Sequence, residues 1–409
     1  MKHSMRFIIR ATLSVMTTSV FGSGFRIPET SVAGIGTANA LVANYRELGS
    51  IPYNPANMSF LEGRNLVLGA TYIGTDIHAA PDNGTATDNQ GNDSFFVPHY
   101  YYMNTLTRTW AYGLNINVPF GLETKWPAGT FAKFAGPLSA YAPETSKIEM
   151  LNFNPNVSYR MGNTSVAFGV DYYDIRDLTF NTQAVTISGD GGDMGWNIAV
   201  QHVEGPWSFG ASYRSAVKAE ISGAVSVATF TSNGTAKLEF PSMFQAGARY
   251  QLNRDWAMEF DIDRTGWSSF DTINVTHSLP GATGVASPIT STNNWQSANA
   301  YRLGAVYRLD PNGKLRFGYA LDKTPQPDDY FSARIPDADR QLFSVGYVRR
   351  MGVWSFEFGY MYAKNDDRKV SSSTAYYTGG NPDPNGTDAF NGNYSTTIHL
   401  LGVGFTIKL

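Results

Sequence analysis

Residues 256–263 read Trp256-Ala257-Met258-Glu259-Phe260-Asp261-Ile262-Asp263. Trp256, Met258, Phe260 and Ile262 alternate with Glu259, Asp261 and Asp263. A period of two belongs to a strand, because successive side chains leave opposite faces of the backbone. One face is apolar and the other polar. The pattern recurs from about residue 66 onward, in Trp110, Tyr112, Leu114, Ile116 and Val118 against Ala111, Gly113, Asn115 and Asn117, and in Leu151, Phe153, Val157 and Tyr159 against Asn152, Asn154, Asn156 and Ser158. It returns in Trp207, Phe209, Ala211 and Tyr213 against Ser208, Gly210, Ser212 and Arg214, and in Leu401, Val403, Phe405, Ile407 and Leu409 against Gly402, Gly404, Thr406 and Lys408.

A soluble sandwich would also alternate, so length and loop asymmetry decide. About fourteen such strands of roughly 10–15 residues fit the 9–11 tilted residues that a membrane strand needs, and exceed the usual 5–6. Short connections at Leu106–Arg108, Gly162–Asn163, Gly205–Pro206, Asn253–Arg254, Asp310–Gly313 and Arg350–Gly352 alternate with long ones. The long ones are His78–Ser94, Glu123–Ser146, Thr179–Asp193, Ser222–Thr235, Asp271–Asn294, Lys323–Asp339 and Asn365–Gly392. This is the layout of an all-β, antiparallel, 14-stranded transmembrane β-barrel of an outer membrane, with both chain ends on the short-turn side. Trp110, Tyr159, Trp196, Trp207, Trp256, Tyr301 and Trp354 are expected to form an interfacial girdle close to the short turns.

Composition agrees. Of 409 residues only 16% are charged, against about 25% in an ordinary soluble chain, while 42% are hydrophobic and 14% aromatic. A net charge of -3 with this many aromatics excludes disorder and argues against a nucleic-acid partner. No run reaches the roughly 18 apolar residues of a spanning helix, which leaves a closed sheet as the way to meet a bilayer. The absence of cysteine removes thiol nucleophiles, disulfides and thiolate metal sites.

Three segments follow. Lys2, Arg6 and Arg10 precede the apolar run Ala11–Phe21 and the small residues Gly22, Ser23 and Gly24, so residues 1–22 read as a secretory signal cleaved after Gly22. Residues 23–64 do not alternate and are too short for a domain, so they are expected to fill the lumen as a hatch. Residues 65–409 form the barrel. His3, His78, His99, His202, His277 and His399 are scattered, Gly34–Gly36 follows no strand, and the acidic stretch Asp82–Asp93 lacks the closing Glu of a calcium loop. No enzyme, cofactor or metal site is expected.

Ser23-Gly24-Phe25, the Gly34-Ile35-Gly36 turn, Asn54-Pro55-Ala56, Pro119-Phe120-Gly121-Leu122, Leu151-Asn152-Phe153-Asn154-Pro155, Trp267-Ser268-Ser269-Phe270 and Ile335-Pro336-Asp337-Ala338-Asp339-Arg340 together resemble the FadL family (OmpP1/FadL/TodX) of outer-membrane long-chain fatty acid transporters, with its toluene and xylene importer branch. The resemblance implies energy-independent import of hydrophobic molecules by a monomer set in outer-membrane lipid and lipopolysaccharide. A ligand would be held in an apolar pocket closed by the hatch N-terminus. It would leave sideways through a gap at the third-strand kink, opposite Asn54, Pro55 and Ala56.

Several residues follow as candidates. Phe25 and Ile27 at the hatch end contact ligand or pack. Pro119 and Gly121, with Phe120 and Leu122, would interrupt the third strand, since proline lacks an N–H and glycine weakens a strand interior. Trp126, Phe131, Phe134, Leu138 and Tyr141 either pack on their own loop or line an entry groove. The Gly-rich stretch Gly189–Gly192 makes the facing loop short, which argues against a two-sided groove. Arg176 either binds a carboxylate or pairs with Asp174 or Asp177 in the lumen. The ligand stays open between fatty acid and aromatic hydrocarbon, with a general porin or an adhesion barrel as the competing classes.

Overall fold

The computed structural model describes residues 24–134, 141–374, 377–378, 381–382 and 388–409. The expected cleavage after Gly22 and candidate Leu138 lie outside them. The alternating segments pair in chain order as fourteen antiparallel strands: β1 Arg64–Pro81, β2 Ser94–Thr105, β3 Trp110–Asn117 continued by Leu122–Lys125, β4 Pro143–Met161, β5 Thr164–Thr182, β6 Val185–Glu204, β7 Trp207–Arg214 continued by Val217–Val227, β8 Phe230–Phe240 continued by Met243–Gln251, β9 Trp256–Thr265, β10 Ala298–Asp310, β11 Gly313–Asp322, β12 Arg340–Met351, β13 Trp354–Asn365 and β14 Gly392–Lys408. β14 closes on β1 from Asn65 opposite Lys408 to Pro81 opposite Gly392.

The two faces separate as the alternation requires. On β9, Phe260 and Ile262 are 47% and 40% exposed on the outside, whereas Glu259, Asp261 and Asp263 are each 1% exposed on the inside. Gly162, Gly205 and Gly352 take positive φ in the short turns, a conformation that favours glycine. Beside those turns Trp110 meets Tyr159 at 4.6 Å, Trp207 meets Tyr250 at 4.5 Å and Trp256 meets Tyr307 at 4.7 Å. Trp196 and Tyr301 depart from the expected single girdle. They sit further up the wall opposite Val170 and Leu321, near Asp193 and Asn299, and mark the other edge of the apolar band.

Two expected long loops are strands instead. β5 and β6 stay paired to Thr179 opposite Ser188, and β6 and β7 pair from Gly192 opposite Glu220 to Val185 opposite Val227. The glycines there serve close backbone approach rather than a turn: a Cβ on Gly191 would stand 2.0 Å from the Glu220 carbonyl oxygen, and one on Gly223 would stand 1.9 Å from that of Ser188.

Residues 24–61 fold inside the barrel and are almost wholly buried. Ser31 caps a one-turn helix, Val32–Gly36, so Gly34-Ile35-Gly36 is helical rather than a turn. Such a segment leaves many backbone donors without secondary-structure partners, and the inward carboxylates of β9 supply them. Asp261 Oδ2 accepts from the Leu41 and Val42 amides at 2.8 and 3.0 Å, and Glu259 Oε1 accepts from the Ala43 amide at 2.7 Å. On β11, Arg316 donates to hatch residue Glu47 at 2.8 Å and to Glu357 of β13 at 2.9 Å.

The facing of β9 is testable. Phe260→Lys puts a charge on the outer apolar band and is expected to cost about 2–4 kcal/mol, read as a lower urea midpoint in lipid vesicles. An unchanged midpoint would reverse the assignment of outside and inside.

Candidate functional site: an aromatic nest beside a gap in the wall

β3 pairs with β2 only from Tyr100 opposite Ile116 to Thr105 opposite Ala111. Beyond Asn117 it turns inward over Val118–Gly121 and resumes at Leu122–Lys125 on β4 alone. The inward turn is held by the hatch: the Ile27 amide donates to the Pro119 carbonyl at 2.8 Å, and the Gly121 amide donates to the Phe25 carbonyl at 3.0 Å. Pro119 has no N–H to give to a neighbouring strand, which explains why the ladder is surrendered here. Ser94–His99 of β2 therefore pair with β1 on one side and with no strand on the other among the described residues. Side chains close this gap. Phe95, Val97, Val118 and Leu151 share one buried apolar cluster with Ile27.

Phe25 points into a box of rings on the opposite side of the same short pairing. Its ring lies 4.7 Å from Trp267, 5.3 Å from Phe270, 5.8 Å from Phe120, 6.0 Å from Trp295 and 6.3 Å from Phe240. Tyr173 of β5 completes the box at 5.6 Å from Phe240. After β9 the chain folds inward: the Gly266 amide donates to the Ser242 carbonyl at 2.8 Å, and a 3-10 turn over Trp267–Ser269 carries Trp267 and Phe270 into the lumen. Gly24 takes φ +68°, and a Cβ there would stand 2.5 Å from Trp295 and 2.7 Å from Trp267, so only glycine fits.

The Gly24 amide donates to Asp337 Oδ2 at 3.1 Å, and Thr324 Oγ1 donates to the same oxygen at 2.6 Å. Burial in the loop pushes the Asp337 carboxyl up to about 6, against the pull of those two bonds.

Among the residues expected from sequence, Phe25, Phe120 and Leu122 share the apolar cluster of the nest, and Pro119 and Gly121 form the inward turn. Ile27 falls on the gap side. Asn54 Nδ2 donates to the Val42 and Val200 carbonyls at 2.8 and 3.0 Å, and Ser165 Oγ donates to the Ala56 carbonyl at 2.7 Å, so this triplet is tied to β5 and β6. Pro55 and Pro119 line one cavity of about 40 Å³.

Trp126, Phe131 and Phe134 are buried where their loop packs on two others. Trp126 Nε1 donates to the Ala333 carbonyl at 2.8 Å, and Phe131 and Phe134 pack on Phe390 at 5.2 and 5.4 Å. Tyr141 is exposed. Arg176 is not in the lumen: it lies on the outer face of β5, paired to Asp174 at 3.1 Å, because β5 presents Tyr173 and Ile175 inward and Tyr172, Asp174 and Arg176 outward. Trp295, Phe240, Tyr173 and Gly24 were not singled out by sequence as parts of the nest. They come together only through the barrel's curvature and the inward turn after β9.

A plugged β-barrel with an apolar site beside a break in its wall is the architecture of an outer-membrane transporter of hydrophobic compounds. Residues 13–409 match the family model described as Outer membrane protein transport protein (OMPP1/FadL/TodX), and the chain belongs to that family. This makes it a transporter rather than an enzyme. It is 23% identical to the long-chain fatty acid transport protein of Escherichia coli O6:H1 (strain CFT073) over 91% of this chain and 90% of that one. It is 24% identical to the 47 kDa outer membrane protein of Pasteurella multocida over 84% of this chain and 87% of that one. In fold it is similar to a Pseudomonas aeruginosa FadL homologue, with TM-score 0.80 at 16% identity over 94% of this chain and 99% of that one. It is also similar to the Pseudomonas putida toluene transporter TodX, with TM-score 0.68 at 15% identity over 96% of this chain and all of that one.

Two outcomes follow. Phe25→Ala empties the centre of the ring box and is expected to lower stability by about 3–5 kcal/mol, read as a drop in the temperature at which the folded barrel unfolds on gels. Asp337 has a folded value above the ordinary 3.8. Its contribution to stability is present below about pH 4 and is lost as pH rises through about 6. Asp337→Asn should flatten that part of the unfolding-temperature profile; an unchanged profile would show that the buried carboxyl does not titrate there.

Proposed function

We propose that the protein imports long-chain fatty acids across the outer membrane of a Gram-negative bacterium, without an energy source, as a monomer set in outer-membrane lipid and lipopolysaccharide with both termini in the periplasm. In this reading residues 1–22 direct export, residues 23–64 are the hatch and residues 65–409 are the barrel. A ligand enters from the long-loop side, displaces Phe25 from the ring box and leaves through the gap between β2 and β3.

The observation that carries this reading is the shared hydrogen bonding of Phe25–Ile27 with Pro119–Gly121. Any ligand that takes the place of the Phe25 ring must strain those two bonds, so occupancy of the nest is mechanically tied to the segment that bounds the gap. Energetics favour a sideways exit. At about 0.8 kcal/mol per methylene, releasing a tail of about sixteen carbons into water would cost on the order of 12 kcal/mol, whereas passing it into the bilayer avoids that step. The printed name of the Escherichia coli relative supports fatty acids. The ring-lined nest and the fold shared with toluene transporters favour a second reading, import of aromatic hydrocarbons.

The double substitution Pro119→Val and Gly121→Val should let β3 continue beside β2 and seal the gap. Uptake of labelled oleate and toluene by cells carrying that variant should fall at least tenfold while the barrel still folds. Unchanged uptake would contradict a sideways exit. Planar bilayers holding the full chain should show little steady conductance, and large open channels would favour a general porin instead.

A further inference from the structure

The gap is a framed window. Below it β2 and β3 part after Tyr100 opposite Ile116. Above it the Gln90 amide donates to the Lys125 carbonyl at 2.9 Å, and the Asn92 amide donates to Glu123 Oε1 at 3.0 Å. Between those ends the β2 backbone turns hydrogen-bonding groups to a side where no strand meets them among the described residues. Phe96 points outward there, 59% exposed, and unpaired backbone groups facing lipid strongly favour pairing. Something must keep β3 from zipping up.

The register identifies it. In the register that joins β1 to β2, the Thr75 amide donates to the Asp93 carbonyl at 2.7 Å and the Thr105 amide to the Gly63 carbonyl at 3.1 Å. The two bonding directions alternate along an antiparallel strand, so odd-numbered residues of β2 bond to β1 and even-numbered ones turn to β3. The Leu106 amide agrees, donating to the Trp110 carbonyl at 2.9 Å in the register of β2 with β3. Zipping upward from Tyr100 and Ile116, the next hydrogen-bonded rung would join residue 98 to Val118. Residue 98 is Pro98, whose nitrogen carries no hydrogen and whose ring stands where the donor would point. Pro119 does not do this: the Arg160 amide donates to the Thr109 carbonyl at 2.8 Å, so odd-numbered residues of β3 turn to β4. The β1 ladder does not use the Pro98 nitrogen, which makes this edge a tolerated place for proline.

Resting on the sideways exit above, we propose that Pro98 is a positioning residue for ligand release: it keeps the β2 edge from pairing with β3 when the latch lets go. Phe25 and Ile27 hold Pro119–Gly121 inward through two hydrogen bonds. A ligand that displaces Phe25 strains those bonds and frees the segment at the moment the window is needed. With a donor at residue 98 the freed segment would close on β2 and trap the ligand. With Pro98 the first rung fails and the window stays open.

The test compares the wild-type full chain with Pro98→Val, with Pro98→Val plus Phe96→Pro, and with Pro119→Val plus Gly121→Val as the sealed reference. In that reference the inward turn is removed, and the rungs at Phe96 and Ser94 outweigh the one that Pro98 withholds. Labelled oleate is followed as uptake by cells and as equilibrium binding in lipid nanodiscs. Pro98→Val should lower uptake about fivefold, the worth of one hydrogen bond, leave binding within about twofold and unfold at no lower temperature than wild type. Phe96→Pro moves the missing donor one rung higher on the same edge and should restore about half of the lost uptake. Unchanged uptake in Pro98→Val beside an inactive sealed reference would overturn the role of Pro98 and leave the sideways exit standing. So would a loss of binding or stability that matches the loss of uptake, or a second proline that rescues nothing. Unchanged uptake in the sealed reference as well would overturn the sideways exit itself.

Discussion

The structure depends on a single exchange: carboxylates on the inward face of β9 accept hydrogen bonds from backbone amides of the hatch. A plug of this kind is short and largely irregular, with only a small apolar cluster of its own, Ala33, Leu41 and Tyr53. Its amides would be costly to bury unsatisfied, and a polar lumen is the one place in a membrane barrel where acceptors can be offered. Glu259 and Asp261 take the amides of Leu41, Val42 and Ala43, while Asp263 is held to Arg302 at 2.9 Å and to Arg26 at 3.5 Å. The low charge of the chain is thus a matter of placement. Charge is shed where lipid touches the wall and kept where the hatch must be gripped.

That grip fixes the hatch body and extends to its N-terminal end through Arg26, which also donates to Thr265 Oγ1 of β9 at 2.9 Å. Around it, Gly24, Phe25 and Ile27 are held by the interrupted β3, by rings and by the loop carboxylate of Asp337. The molecule therefore separates a fixed plug from a small latch. The latch touches the nest on one side and the gap on the other, so a modest movement of a few residues suffices to couple the two. Withdrawal of the whole hatch would break the bonds of Leu41, Val42 and Ala43 to β9 and of Glu47 to β11 as well.

Much of the architecture was legible in the sequence, because the period of two reports which face is which and the alternation of short and long connections reports which end is which. Strand ends were less legible. Gly189–Gly192 reads as a loop by composition, yet the glycines sit in β6 where neighbouring backbones come too close for a Cβ. Arg176 pairs with Asp174, one of the two partners its neighbourhood offers, but on the outer face, which the alternation of Tyr173 and Ile175 with Asp174 and Arg176 itself reports. Pro119 and Gly121 carry their own signal, as residues that do not suit a central strand. Trp295 and Tyr173 carry none, since their meeting depends on contacts between distant parts of the chain.

The point at which a ligand leaves the barrel separates a sideways route from passage along the axis. A long-chain fatty acid bearing a photoreactive diazirine on its tail, supplied to cells carrying the full chain and cross-linked during uptake, would report the route by mass spectrometry. Adducts are expected on the nest at Phe25 and Trp267 and on the gap at Val97, Val118 and Leu151. Adducts running instead past Glu47 and Arg316 to the short-turn mouth would contradict the sideways route and the fixed hatch.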